Sequence, residues 1–218
     1  MPLSTDPDEP ALPADPAGQV TVRRRDAALA GHLGDEPAAR RALLDPAPAV
    51  RATALGALAR LEELRLDDLV AAGRDAEPEV RARAAELAVN LGPAAGALAT
   101  AALSDGDDRV VEAGCFALGE IGSPADGIVE RLSAVGREHR DPLCREAAVA
   151  ALGAIGASEG LPAILSATTD KPAIRRRAVL ALAAFEGPEV EAALARGLAD
   201  RDWQVRQAAE DLTGRRPE

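Results

Sequence analysis

The chain is predicted to be an all-helical solenoid of stacked repeats, and three observations carry that prediction. First, an aliphatic or thiol residue followed by arginine recurs at nearly constant spacing. The pairs are Val50-Arg51, Val80-Arg81, Val110-Val111, Cys144-Arg145, Ile174-Arg175 and Val205-Arg206, at steps of 30, 30, 34, 30 and 31 residues. Second, a small residue stands four places after each leader (Ala54, Ala84, Gly114, Ala148, Ala178, Ala209). A large apolar one stands eleven places after all but the last (Leu61, Leu91, Ile121, Ile155, Phe185). Third, no segment shows sustained β-branched alternation, so strands are not expected. A fixed period in this range means one supersecondary unit stacked on copies of itself, with a core that grows with copy number.

The elements follow in order. Residues 1–19 hold Pro2, Pro7, Pro10, Pro13 and Pro16 among acidic and small residues, a composition that buries no apolar face and predicts a disordered tail. A first helix, from around Val22 to Leu33 with Ala28, Leu29 and Leu33 as its apolar side, is expected to cap the array. Each unit then opens with a shorter helix, at 36–44, 64–73, 93–103, 124–136, 159–168 and 188–199. A turn rich in Asp and Pro follows, and then the longer helix, at roughly 48–61, 78–91, 108–121, 142–155, 172–185 and 202–213. Proline in a first turn costs nothing, because its missing N–H would be unpaired there. Glycine after the last apolar position, at Gly92, Gly122, Gly156 and Gly187, supplies a left-handed exit. The organisation is thus a tail (1–19), a solenoid (20–214) and a short C-terminal tail (215–218).

At roughly 100° per residue, places 0, +4, +7, +8 and +11 of the longer helix fall on one stripe, which is predicted to be core. Places +2, +6 and +9 lie opposite and are predicted to face outward.

Composition limits the function. Aromatics are Phe116, Phe185 and Trp203 alone, so the core must be built from Leu, Val and Ala. The formal net charge is −11, which argues against nucleic acid and anionic membranes as partners. There is no apolar run of membrane-spanning length. Asp6, Asp8, Glu9 and Asp15 stand where a signal peptide would need positive charge, so a cytoplasmic protein is expected. Cys115 and Cys144 have neither disulfide nor zinc spacing and are expected to act as small buried hydrophobes. No phosphate loop, nucleophile elbow or metal spacing appears, so no catalytic residue, metal or cofactor is expected.

The repeated residues resemble the HEAT repeat, more narrowly the short HEAT-like repeat of the phycobilisome-lyase type, over about residues 36–214. The resemblance is clearest in 140–156 (RDPLCREAAVAALGAIG) and 107–122 (DDRVVEAGCFALGEIG). It implies a right-handed α-α superhelix of about six HEAT-like helix pairs. It also implies a structural ladder of turn aspartates (Asp45, Asp75, Asp105, Asp170, Asp200, with Asp141 closer to its leader) and helix arginines (Arg51, Arg81, Arg145, Arg175, Arg206) running along the stack. Val111 stands where one arginine should be, so a break is expected there. Di-iron hydroxylases with similar repeats present His-Glu motifs. Here His32 precedes Leu33 and His139 precedes Arg140, so that chemistry is not expected. Bilin lyases use such repeats too, but nothing in the sequence encodes a pigment pocket.

The resemblance places the Val-Arg helices on the concave side, where their outward places would line a groove. The candidate partner-binding residues are Arg83, Glu86, Glu112, Phe116, Glu120, Glu146, Ala150, Arg176 and Leu180. Phe116 and Leu180 among small residues, rimmed by charge, form the pattern of a partner-binding surface. The expected function is therefore a non-catalytic scaffold or adaptor that binds a protein or peptide and needs no small-molecule substrate. The alternative is an accessory lyase or chaperone-like factor acting on a cofactor-bearing partner. The triplets Arg23-Arg24-Arg25 and Arg175-Arg176-Arg177 are expected to be solvated or internally paired, and Trp203 is expected to seal the end of the stack.

Overall fold

The computed structural model describes residues 16–124 and 127–214, and among them every regular element is helical. The chain forms two compact units, Met1–Glu62 and Glu63–Glu218.

In the first unit, α1 (Pro16–Leu33) and α2 (Glu36–Ala42) pack with α3 (Pro48–Arg60). Helix α1 starts at Pro16, so residues 16–19, expected in the tail, are helical; the rest of the expected tail lies outside the described residues. Its packing face also differs from expectation. Ala27, Ala30 and Gly31 are buried, whereas Leu29 and Leu33 are exposed. The reason is close approach. A Cβ on Gly31 would stand 2.8 Å from the Ala57 Cα, so α1 meets α3 through its smallest residues and turns its leucines away.

The second unit holds α4 (Leu66–Ala72), α5 (Pro78–Leu87), α6 (Gly96–Ala102), α7 (Asp108–Ile121), α8 (Ile128–Glu138), α9 (Pro142–Ile155), α10 (Leu161–Ala167), α11 (Pro172–Ala181), α12 (Pro188–Leu198) and α13 (Trp203–Thr213). Helices α5, α7, α9, α11 and α13 are the longer, Val-Arg type, and each packs beside the next. Each also packs against the shorter helix that precedes it. The result is two layers of an α-solenoid. Helix α5 tightens to 3-10 geometry after Leu87, and the chain is broken at Gly92 (φ 58°, ψ −141°) before Pro93 restarts it. Gly122 and Gly156 take the left-handed exit at the ends of α7 and α9, while Gly187 has positive φ in an extended conformation.

The core stripe holds the leader and its +4 neighbour in every copy, and +7 and +8 in every copy but the last. Each buried Leu or Val contributes roughly 1.5–3 kcal/mol. Two departures follow from stacking. The +11 residues Leu91, Ile121, Ile155 and Phe185 are only half-buried, because they lie at or beyond the helix end. The +5 residues Ala85, Cys115, Val149 and Val179, outside the predicted stripe, are fully buried. A helix covered by its own partner and by flanking helices hides a wider sector than a helix with one covered face.

The ladder residues join successive units. Arg81 donates through Nε and Nη2 to both oxygens of Asp105 at 2.8 Å. Arg145 does so to Asp170 at 2.8 and 2.9 Å, and Arg175 to Asp200 at 2.8 and 2.7 Å. The Nη1 of each arginine turns back onto its own unit: Arg81 to the Asp75 carbonyl, Arg145 to that of His139 and Arg175 to that of Asp170. Arg206 Nη1 does the same with the Asp200 carbonyl. In the first unit Arg23 pairs with Asp45 at 2.8 Å, and Arg51 donates to the Asp45 carbonyl.

At the expected break the link is not simply lost. Val111 is buried, and His139 stands five before Cys144, the place most other units give to Asp. The polarity is reversed instead: Arg140, from the later unit, donates to Asp108 of the earlier one at 2.9 Å. Asp141 belongs to no ladder pair among the described residues. It caps α9 by accepting from the Leu143 N–H at 2.7 Å.

The ladder makes stability depend on pH. The Arg81, Arg145 and Arg175 guanidiniums hold the carboxyls of Asp105, Asp170 and Asp200 below the ordinary 3.8, with backbone N–H bonds adding to the effect. A carboxyl depressed in the folded state contributes stability that is complete above its unfolded value and lost as pH falls through the folded one. Thermal midpoints are therefore expected to be level above about pH 5 and to fall progressively below about pH 4. Circular-dichroism melts across that range test this; a midpoint unchanged at pH 3 would contradict it.

Candidate functional site

Helices α7 and α9 run side by side, and a cleft of about 470 Å³ opens between them. From α7 come Glu112, Cys115, Phe116, Gly119 and Glu120; from α9 come Leu143, Glu146, Ala147, Ala150, Ala151 and Ala154; α11 adds Arg177. A second cleft of about 380 Å³ repeats the arrangement one unit on, between α9 and α11. It shares Ala150, Ala154 and Arg177 and adds Gly153, Leu180, Ala181, Ala183 and Ala184. Together they form an open trough floored by alanine and glycine.

Phe116 is 54% exposed and Leu143 58% exposed, two large apolar side chains in one cleft. On α7, Glu112, Phe116 and Glu120 are spaced by four residues and lie in line on one face. Neither glutamate has a hydrogen-bond or salt-bridge partner among the described residues. Glu146 is approached by Arg177 Nη2 at 3.4 Å.

Of the candidate residues, Glu112, Phe116, Glu120, Glu146 and Ala150 converge on the first cleft, and Leu180 lies in the second. Leu180 is half-buried and packs on the cluster of Val179, Val205, Ala208 and Ala209, so it is a flank of the core as much as a groove residue. Arg83 and Glu86 lie outside both clefts and pair with each other at 2.8 Å. Arg176 is exposed and lines neither.

Besides small residues such as Cys115, Ala147 and Ala154, the clefts hold two large side chains outside the candidate set. Leu143 directly precedes a leader, and Arg177 stands three places after one. The predicted outward face was drawn through +2, +6 and +9, opposite the stripe. With +5 also buried, the open face is centred instead nearer −1, +3, +6 and +10. The repeat itself carried that signal, through the glutamate and alanine at +10 (Glu120, Ala154).

The +9 glycines do not face a partner freely. A Cβ on Gly119 would lie 3.0 Å from the Ala151 Cα, and one on Gly153 would lie 2.6 Å from the Ala181 Cβ. They set how closely the longer helices approach. Trp203 does not seal the stack: at the first turn of α13 it is 65% exposed. The arginine triplets are largely paired internally, Arg23 with Asp45, Arg175 with Asp200 and Arg177 with Glu146.

Both cysteines are buried and free. Burial pushes the Cys144 thiol up to about 11, and the Asp141 and Asp108 carboxylates add to the effect; Cys115 is raised by burial as well. Cys144 Sγ donates to the Asp108 carbonyl at 3.1 Å. Protonated, buried thiols are poor nucleophiles. Among the described residues no group of three His, Cys, Asp or Glu is placed to hold a metal, and no helix is long and apolar enough to cross a membrane.

Comparisons with known proteins agree with the repeat architecture. The family model for HEAT repeats matches residues 129–212. A search of curated proteins gave no match. Among solved structures, the complex of CpcE and CpcF of phycocyanin lyase from Nostoc sp. PCC7120 aligns with TM-score 0.57 at 20% identity, covering 68% of this chain and 97% of that one. A designed armadillo repeat protein, YIII(Dq)4CqI, aligns with TM-score 0.57 at 17% identity, covering 82% and 98%. Human deoxyhypusine hydroxylase in complex with glycerol aligns with TM-score 0.47 at 21% identity, covering 93% and 80%. The first two are likenesses of fold.

Proposed function

We propose that this chain, a protein of HEAT repeats over residues 129–212, is a non-catalytic cytoplasmic adaptor that holds a protein or peptide segment in the trough between α7, α9 and α11. The observation that carries the proposal is the presence in one cleft of Phe116 and Leu143, both more than half exposed, over a floor of alanine and glycine. Apolar anchors in a pocket with a polar rim provide most of the energy of a peptide interface. The raised thiols support a binding role over a chemical one.

Phe116→Asp is expected to abolish partner capture while leaving helicity and melting within about 0.5 kcal/mol of wild type, since the side chain is largely outside the core. Affinity capture and circular dichroism on the same preparations test this. Unfolding of the variant would make Phe116 a core residue, and capture at the wild-type level would remove the trough as the binding surface.

A second reading is favoured by the fold likeness to a phycocyanin lyase complex. In it the segment held belongs to a cofactor-bearing protein, on which this chain acts as an accessory lyase or chaperone-like factor. Visible absorbance retained through co-purification would support that version.

A further inference from the structure

We infer that the trough selects an extended basic segment in which one bulky apolar side chain is flanked, two residues to either side, by lysine or arginine. The inference rests on the trough being a peptide site and goes further by naming the peptide's chemistry and register.

The register comes from α7. Glu112 and Glu120 stand four residues before and after Phe116, which places each about 6 Å along the helix axis from the ring. An extended chain advances about 3.3 Å per residue and returns to the same face every second residue, about 6.6 Å apart. A segment lying along α7 with its apolar side chain on Phe116 therefore brings the residues two before and two after onto the two glutamates. The sign of the charge comes from the rim. Glu112, Glu120 and Glu146 line the cleft against the single cation Arg177, which already leans on Glu146. Glu112 and Glu120 have no salt-bridge partner among the described residues, and the whole chain carries net charge −11. Cations arriving on a partner neutralise these carboxylates and fix its position, while an acidic segment is repelled.

The test is an NMR-monitored titration of the full chain at low salt with three synthetic peptides. The first is Ser-Lys-Ala-Leu-Ala-Lys-Ser. The second, Ser-Ala-Lys-Leu-Lys-Ala-Ser, has the same composition with the lysines moved against the leucine. The third replaces both lysines of the first with glutamate. The first is expected to bind at the cleft, the second about threefold more weakly and the third at least about tenfold more weakly. Glu112→Gln and Glu120→Gln should each cost the first peptide about two- to fourfold, an effect that disappears in high salt. Equal binding of all three, lost in Phe116→Ser, would overturn the charge and register inference and leave the peptide trough standing. No shift at the cleft with any peptide at millimolar concentration would overturn both.

Discussion

Arg175→Met is expected to destabilise the second unit by about 2–3 kcal/mol, the largest loss among the ladder arginines. Arg175 has the most buried side chain of the ladder cations, 7% exposed, and makes three hydrogen bonds: two to Asp200 and one to the Asp170 carbonyl. Methionine keeps the packing of the aliphatic stem, so the loss reports the charge and its bonds. What remains is a mostly buried Asp200 carboxylate accepting only from the Asp202 N–H. Asp200→Asn on the same background should recover much of the loss, because the orphaned charge is the main penalty. At about 2–4 °C per kcal/mol for a chain of this size, the single variant should melt clearly earlier. A change within about 0.5 kcal/mol would mean that the ladder is ornamental at this joint.

Gly153→Ala is the second large effect and runs against helix propensity. Alanine favours an isolated helix over glycine by about 1 kcal/mol, yet the variant is expected to lose about 1–3 kcal/mol. The new methyl would stand 2.6 Å from the Ala181 Cβ and 2.8 Å from its Cα. A backbone atom cannot swing aside, so α9 and α11 would have to separate. Gly96→Ala is the control: its Cβ would meet nothing within 4 Å, and it should gain stability instead. Denaturant melts of the two variants side by side decide the matter. A stabilised Gly153→Ala would mean that the two helices are not packed as closely as described.

Periodicity made the repeat and its core legible. The leader and the places at +4, +7 and +8 could be assigned without coordinates because all copies perform the same task. The site was legible only in part. Phe116 stood out as an aromatic on an outward place, and its flanking glutamates followed. Leu143 and Arg177 did not stand out, because the open face of a stacked helix depends on which neighbour covers +5, and a single-helix wheel contains no neighbour. The +9 glycines illustrate the same gap. Their composition suggested a bare groove floor, whereas Gly153 is small because Ala181 of the next unit presses on it. The leucines of α1 failed for a related reason, since a contact sized for Gly31 and Ala57 has no room for them.

The inverted tie between Arg140 and Asp108 gives one seam of the second unit a distinct response to its surroundings. Arg140 is 76% exposed, unlike the sheltered guanidiniums of the neighbouring joints. Dissolved ions can therefore loosen this fastening while leaving the others intact. It ties the first turn of α7 to the turn that opens α9, the two helices whose cleft holds Phe116, so dissolved salt is expected to act on the flank of that cleft before it reaches the sheltered joints.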